Sequence, residues 1–393
     1  MTSFVTGLTC SKCHRTYDHG RPQGVCREDG APLLVDYDLE AIGRAVRPED
    51  VAGRVPTMWR YRELLPVEDD EHVVSLGEGF TPMLVSDGTA SLLGVGGVWI
   101  KDEGRNPTGT FKARGASCGV SRAVELGLPD VALPTAGNAG GAWACYGAAA
   151  GVRVHVAVPS EAPRITALEC RAHGADVLEV EGNIGAAGRE LAEVVEREGW
   201  FDVTGFREPY RLDGKRTLGF EIAEQLGWEA PDAVVYPTGG GLALIGIWRG
   251  WVQLRELGWI EGDLPRMMAV QSTGCAPVVR AFEEGREDTE VWEEAGTIAS
   301  GLLVPKALGH RMALSAIRDS GGTAVAVPDA AIVEAVGTMA REGGVLPSPE
   351  AAATLAGALA LRQRGDLGAE DRVVLVATGS GLKYPDVLEE ALE

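Results

Sequence analysis

Between residues 98 and 377 the chain alternates short, nearly continuous apolar runs with stretches of helical spacing, and this alternation restricts its fold more than any other feature. The apolar runs are Val98 to Ile100, Val131 to Pro134, Val152 to Val158, Val177 to Val180, Ala233 to Tyr236, Met267 to Val270, Ala324 to Val327 and Val373 to Ala377. The helical stretches are Ala116 to Leu126, closed by Gly127, then Ile165 to His173, Ile184 to Glu198, Leu218 to Leu226 and Leu244 to Leu257. A strand without polar alternation is covered on both faces, so the pattern predicts an α/β architecture with largely parallel, doubly wound sheets. Ligands in such sheets bind beyond the carboxyl ends of the strands.

At 393 residues the chain is long enough for two domains or more. Its formal net charge of -21 opposes binding to nucleic acid and to anionic membrane surfaces, both of which attract basic patches. No run approaches the roughly 20 apolar residues of a membrane span, and Met1 to Gly20 holds no apolar run like that of a signal peptide, so a cytoplasmic location is expected. Seven cysteines, an odd number with four in apparent core segments, suit a reducing compartment.

Three strand ends run into loops of chemical interest. Val98 to Glu103 feeds Asn106-Pro107-Thr108-Gly109-Thr110-Phe111-Lys112, turn residues followed by a lysine beside an apolar ring. A desolvated lysine loses its proton more easily, as imine chemistry with a carbonyl group requires. Only six lysines stand against thirty arginines, which narrows the choice to few positions. Val131 to Pro134 ends in Thr135-Ala136-Gly137-Asn138-Ala139, small residues with backbone donors at a helix start, suited to an anion. Ala233 to Tyr236 ends in Pro237-Thr238-Gly239-Gly240-Gly241-Leu242, where side-chain-free residues let several N–H groups converge on a phosphate. Each loop alone is an ordinary turn; their order along the chain is the informative part. The six histidines form no triad-like constellation and receive no role.

The lysine loop resembles the cofactor-lysine segment of the fold-type II pyridoxal-phosphate enzymes, the tryptophan synthase beta superfamily. It is most similar to the threonine synthase form Asn-Pro-Thr-Gly-Ser-Phe-Lys-Asp-Arg-Gly, from which it departs at Ala113, in place of Asp, besides carrying Thr110 for Ser. The resemblance runs from about Val74 to Asp386 and includes the opening Gly77-Glu78-Gly79-Phe80-Thr81-Pro82. It implies pyridoxal 5'-phosphate as cofactor and Lys112 as its Schiff-base lysine. Asn138, Thr238, Gly239, Gly240, Gly241 and Leu242 become cofactor contacts, and Thr378, in Thr378-Gly379-Ser380-Gly381-Leu382-Lys383, faces the ring nitrogen. Thr135, Ala136, Asn138 and Ala139 would hold the substrate carboxylate, while Asn183 and Arg189 reach a substrate phosphate. The segment Glu208 to Thr217 resembles the family's Pro-Tyr-Arg-x-x-Gly-x-x-Thr stretch, with Lys215 as a further phosphate contact. The implied reaction is conversion of O-phosphohomoserine and water to threonine and phosphate, a small-molecule lyase reaction of amino-acid biosynthesis in a homodimer. Ala113 and Leu242, where relatives often carry Asp and Thr, keep open a serine or threonine dehydratase or a β-replacement on an activated serine.

Three divisions are expected: residues 1-36, zinc-ribbon-like; 37-118 with 208-393, a large cofactor-binding domain; and 119-207, a smaller mobile domain. In the first, Cys10-x-x-Cys13 and Cys26 offer three thiolates for a structural zinc, with His14 or Asp29 as the fourth ligand.

Overall fold

The computed structural model describes residues 3–392, which pack as two units. One comprises the residues through Gly79 together with Lys112–Thr217; the other comprises Phe80–Phe111 and the residues from Leu218 onward.

In the first unit four parallel strands lie in the order Asp176–Val180, Arg153–Pro159, Asp130–Pro134, Phe201–Asp202. Successive strand residues point to opposite faces, and the packing follows. Val131 and Leu133 join Ala116, Val120, Trp143 and Tyr146 of the helices Lys112–Glu125 and Asn138–Ala150. Ala132 and Ala157 instead meet Ala187 and Leu191 of the helix Ile184–Glu198. The expected doubly wound architecture is present. A separate antiparallel sheet, in the order Thr16–Tyr17, Val5–Cys10, Leu33–Tyr37, opens the chain. Leu8, Cys10 and Val35 of this sheet, with Cys26 from the turn between its strands, share a core with Met58, Trp59, Leu65, Cys118 and Tyr210.

The second unit holds six strands in the order Thr323–Val327, Arg266–Ser272, Ala233–Pro237, Arg372–Ala377, Gly97–Asp102, Met83–Val85. All neighbours are parallel except the last pair. The alanine-rich helix Pro349–Arg364 packs on this sheet so closely that a Cβ on Gly357 would come 2.3 Å from Val270 Cγ2.

The units divide the chain elsewhere than the sequence suggests. Residues 37–79, 112–118 and 208–217 pack with the first unit. Two helices also start earlier than their apolar spacing indicates, at Lys112 instead of Ala116 and at Arg211 instead of Leu218. In the second case the added turns carry Arg211, Asp213, Lys215 and Arg216, all buried. Arg216 pairs with Asp213 at 2.6 Å, and Asp213 accepts from Tyr37 Oη at 3.1 Å. Burial through paired polar groups leaves no hydrophobic period to read. Among the described residues no helix is long and apolar enough to cross a membrane.

Candidate active site

Lys112 is the first residue of the helix Lys112–Glu125 and is half-buried. The loop before it belongs to the second unit and is held from within. Buried Glu103 accepts from Thr81 Oγ1 at 2.5 Å and from Asn106 Nδ2 at 2.8 Å. Thr108 and Gly109 both take positive φ, 61° and 67°, and the loop docks on the strand end at 377. Phe111 N donates to Thr378 O at 3.0 Å, and Ser380 N to Gly109 O at 2.9 Å. The chain therefore reaches Lys112 one residue after a direct bond to Thr378. The Phe111 ring, expected to shield the amine, stands edge-on to Tyr236 with centroids 6.2 Å apart.

One turn beyond Lys112, a Cβ on Gly115 would fall 2.1 Å from Lys215 Nζ. Lys215 is fully buried and donates to Arg211 O at 3.3 Å. Burial, with Arg211 and Lys112 as neighbouring cations, drives its ammonium well below the usual lysine range.

Glu78 locks the two helices that carry Lys112 and Asn138. Its carboxylate, with no exposed surface, accepts from Trp59 Nε1 at 2.9 Å, Ser117 Oγ at 2.6 Å, Tyr146 Oη at 2.6 Å and Leu76 N at 2.8 Å. Ser117 lies on the Lys112 helix and Tyr146 on the Asn138 helix.

The loop Thr135 to Ala139 is shaped by its own threonine. Thr135 Oγ1 donates to Gly137 O at 2.8 Å and accepts from Gly140 N at 3.2 Å. Its hydroxyl is engaged inside the turn, while Ala136, Asn138 and Ala139 remain partly exposed at the helix start. Further along, Asn183 caps the helix Ile184–Glu198, accepting from Gly185 N and Ala186 N at 3.0 and 3.2 Å. Its amide group is left to donate. A Cβ on Gly185 would lie 3.2 Å from Asn183 Oδ1 and 3.6 Å from an Arg189 guanidinium nitrogen, so these two side chains flank the same turn. Arg189 is exposed and has no carboxylate partner among the described residues.

In the second unit the strand Ala233–Pro237 delivers Thr238, Gly239, Gly240 and Gly241 to the start of the helix Leu242–Glu256. Gly241 caps it at φ 83°, a conformation that favours glycine, and the cap has no side-chain acceptor. The N–H groups of Gly239, Gly240, Gly241 and Leu242 find no acceptor among the described residues. Clustered N–H groups at a helix start are what a phosphate needs, and the donor set fits that of pyridoxal phosphate. Thr238, buried, donates to Tyr236 O at 3.1 Å and holds the strand end. Thr378, also buried, follows the adjacent strand.

His310, to which the sequence assigns no role, braces this loop. Its Nε2 donates to Gly239 O at 3.1 Å, which fixes the neutral tautomer, and Nδ1 accepts from Thr289 Oγ1 at 2.9 Å. Burial holds its pKa down at about 4. An unfolded histidine titrates near 6.5, so between these values the unfolded chain binds the extra proton. Stability is complete above about pH 6.5 and falls as the pH drops toward 4, by on the order of 3 kcal/mol. Urea midpoints at pH 7.5 and 5 should separate strongly in the wild type and much less in His310→Gln; equal losses in both proteins would assign the pH sensitivity to another group.

Comparison with known proteins agrees with this arrangement. The pyridoxal-phosphate dependent enzyme family matches residues 74–379, and a solved threonine deaminase isoform 2 from Solanum lycopersicum superimposes with a TM-score of 0.67. That structure is 22% identical and overlaps 84% of this chain and 92% of its own, as a likeness of fold. A threonine synthase of Methanocaldococcus jannaschii is 36% identical over 385 residues, 98% of this chain and 94% of the relative. A threonine synthase of Methanosarcina acetivorans is 35% identical over 98% and 94% of the two chains. The chain belongs to the pyridoxal-phosphate dependent enzymes of fold type II, and these relatives of high coverage within it are threonine synthases.

Proposed function

We propose that the chain converts O-phosphohomoserine and water to threonine and inorganic phosphate. The observation that carries this choice of substrate is the pairing of Asn183 with the unpartnered Arg189 at one helix start, which supplies an amide and a guanidinium to a phosphorylated ligand. The full-length similarity to threonine synthases supports the same reading.

Bound pyridoxal phosphate supplies an electron-withdrawing ring that stabilises negative charge on substrate carbons. Lys112 would hold it covalently, and its amine would move protons at the α and β carbons of the substrate. Thr238, Gly239, Gly240, Gly241 and Leu242 receive the cofactor phosphate, Asn138 the ring oxygen and Thr378 the ring nitrogen. Thr135, Ala136, Asn138 and Ala139 orient the substrate carboxylate. Asn183 and Arg189 hold the γ-phosphate until it leaves, after which water adds at the β carbon. The protein acts as a homodimer in the cytoplasm; seven cysteines without a disulfide support a reducing compartment.

The test supplies O-phosphohomoserine, threonine and serine separately to the holoenzyme. Phosphate and threonine should appear from the first alone. A 2-oxo acid from serine or threonine would make the enzyme a dehydratase, a reading favoured by the apolar Leu242 at the phosphate loop. Arg189→Ala should raise KM for the phosphorylated substrate roughly tenfold to a hundredfold, the worth of a charge-assisted phosphate contact. An unchanged KM would remove Arg189 from the site.

A further inference from the structure

Two tight turns in the opening sheet present four ligand atoms to one point. Cys10 and Cys13 come from the first turn, where Lys12 N and Cys13 N each donate to Cys10 Sγ at 3.4 Å, and His14 N donates to Cys10 O at 3.2 Å. Cys26 and Asp29 come from the second, where Gly30 N donates to Cys26 O at 2.9 Å and Ala31 N to Asp29 Oδ1 at 3.0 Å. Asp29 thus takes the fourth place of a turn whose first place is Cys26, the same spacing as Cys10 and Cys13. Thiol and carboxylate atoms of all four residues lie within 4.8 Å of one another.

We propose that Cys10, Cys13, Cys26 and Asp29 form a structural zinc site with three sulfur ligands and one oxygen. The distances match the edges of such a tetrahedron. Zn–S bonds of about 2.3 Å and a Zn–O bond of about 2.0 Å place sulfurs about 3.8 Å apart and a sulfur about 3.5 Å from the oxygen. Here Cys13 Sγ and Cys26 Sγ are 3.5 Å apart, and Cys10 Sγ lies 3.5 and 3.7 Å from the two Asp29 oxygens. A disulfide needs sulfurs about 2.05 Å apart, so the Cys13 and Cys26 pair is not one. His14, the other fourth ligand open to the sequence, is exposed with φ 60° and is not in the cluster. Tyr17 Oη donates to Cys26 Sγ at 3.1 Å and accepts from Arg27 N at 2.9 Å, which orients the ligand from outside. Three sulfurs with one oxygen in a closed set suit zinc over calcium or magnesium, which take oxygen ligands. The ion would join turns flanking a strand of only two residues, where hydrogen bonding alone gives little support.

The site is independent of the cofactor, and its test reads metal directly. Full-length protein from zinc-supplemented cells should carry about one zinc per chain by mass spectrometry, and cobalt replacement should give an intense thiolate-to-metal band. Asp29→Asn should lower zinc affinity at least about tenfold in chelator competition, Cys13→Ser should lose the ion, and His14→Ala should retain it. If Cys13→Ser misfolds, the exposed Asp29 and His14 variants decide. Zinc-free wild-type protein that takes up neither metal overturns the proposal, as does loss on His14→Ala with retention on Asp29→Asn.

Discussion

Lys112→Ala should reduce kcat at least about a thousandfold and abolish stable cofactor binding, because the variant loses both the covalent tether and the group that moves protons. The competitor is Lys215, a buried lysine of depressed pKa beside the same helix. It is fully buried, its amine lies against Gly115, and it donates to Arg211 O. Lys112 is partly exposed and follows directly on the loop bonded to Thr378. Borohydride reduction of the holoenzyme followed by peptide mapping separates the two: the pyridoxyl mass should sit on the peptide containing Lys112. A label on Lys215, or a Lys112→Ala protein that keeps its activity, would reverse the assignment. Lys215→Met should leave labelling of Lys112 intact, since methionine fills the same buried volume without the charge.

What the sequence made legible, and what it hid, divides by how each residue is recognised. The strands were readable because both faces are covered and the runs are continuously apolar; the Ile184–Glu198 helix shows its full length because it carries a clear apolar stripe and an Asn cap. The glycine and asparagine loops were readable as punctuation at strand ends. Glu78 and His310 were not. A glutamate between two glycines and an isolated histidine have the composition of surface turns, and only tertiary contacts show that both are buried acceptors or donors. The same holds for Arg211 to Arg216, whose polar groups are hydrogen-bonded to partners up to 176 positions away in the chain. Buried polar residues bonded at long range leave no local period, so they are found from the structure.

Glu78→Ala should destabilise the first unit by about 3–5 kcal/mol, an effect seldom reached by a single substitution. The change removes one acceptor shared by three buried donors, Trp59 Nε1, Ser117 Oγ and Tyr146 Oη, besides the Leu76 N–H. Ser117 Oγ has a second acceptor in Val74 O at 2.7 Å and Trp59 Nε1 has one in Ser117 Oγ at 2.9 Å, so the cost falls mainly on Tyr146. Burial, together with the charge of Glu78, pushes the Tyr146 phenol far above its usual range, which keeps it a donor at every accessible pH. Glu78→Gln keeps one acceptor oxygen and turns the other position into a donor facing donors, so it should recover part of the loss but not all. Tyr146→Phe should cost only about 1–2 kcal/mol, because Glu78 keeps its other bonds, and the Glu78→Ala/Tyr146→Phe double variant should show strong coupling. Since Ser117 and Tyr146 sit on the helices that begin at Lys112 and Asn138, activity of Glu78→Ala should fall even at temperatures where the protein remains folded. Urea unfolding of the wild type and the four variants provides the comparison; a Glu78→Ala protein within about 1 kcal/mol of wild type would show that the carboxylate does not clamp these helices.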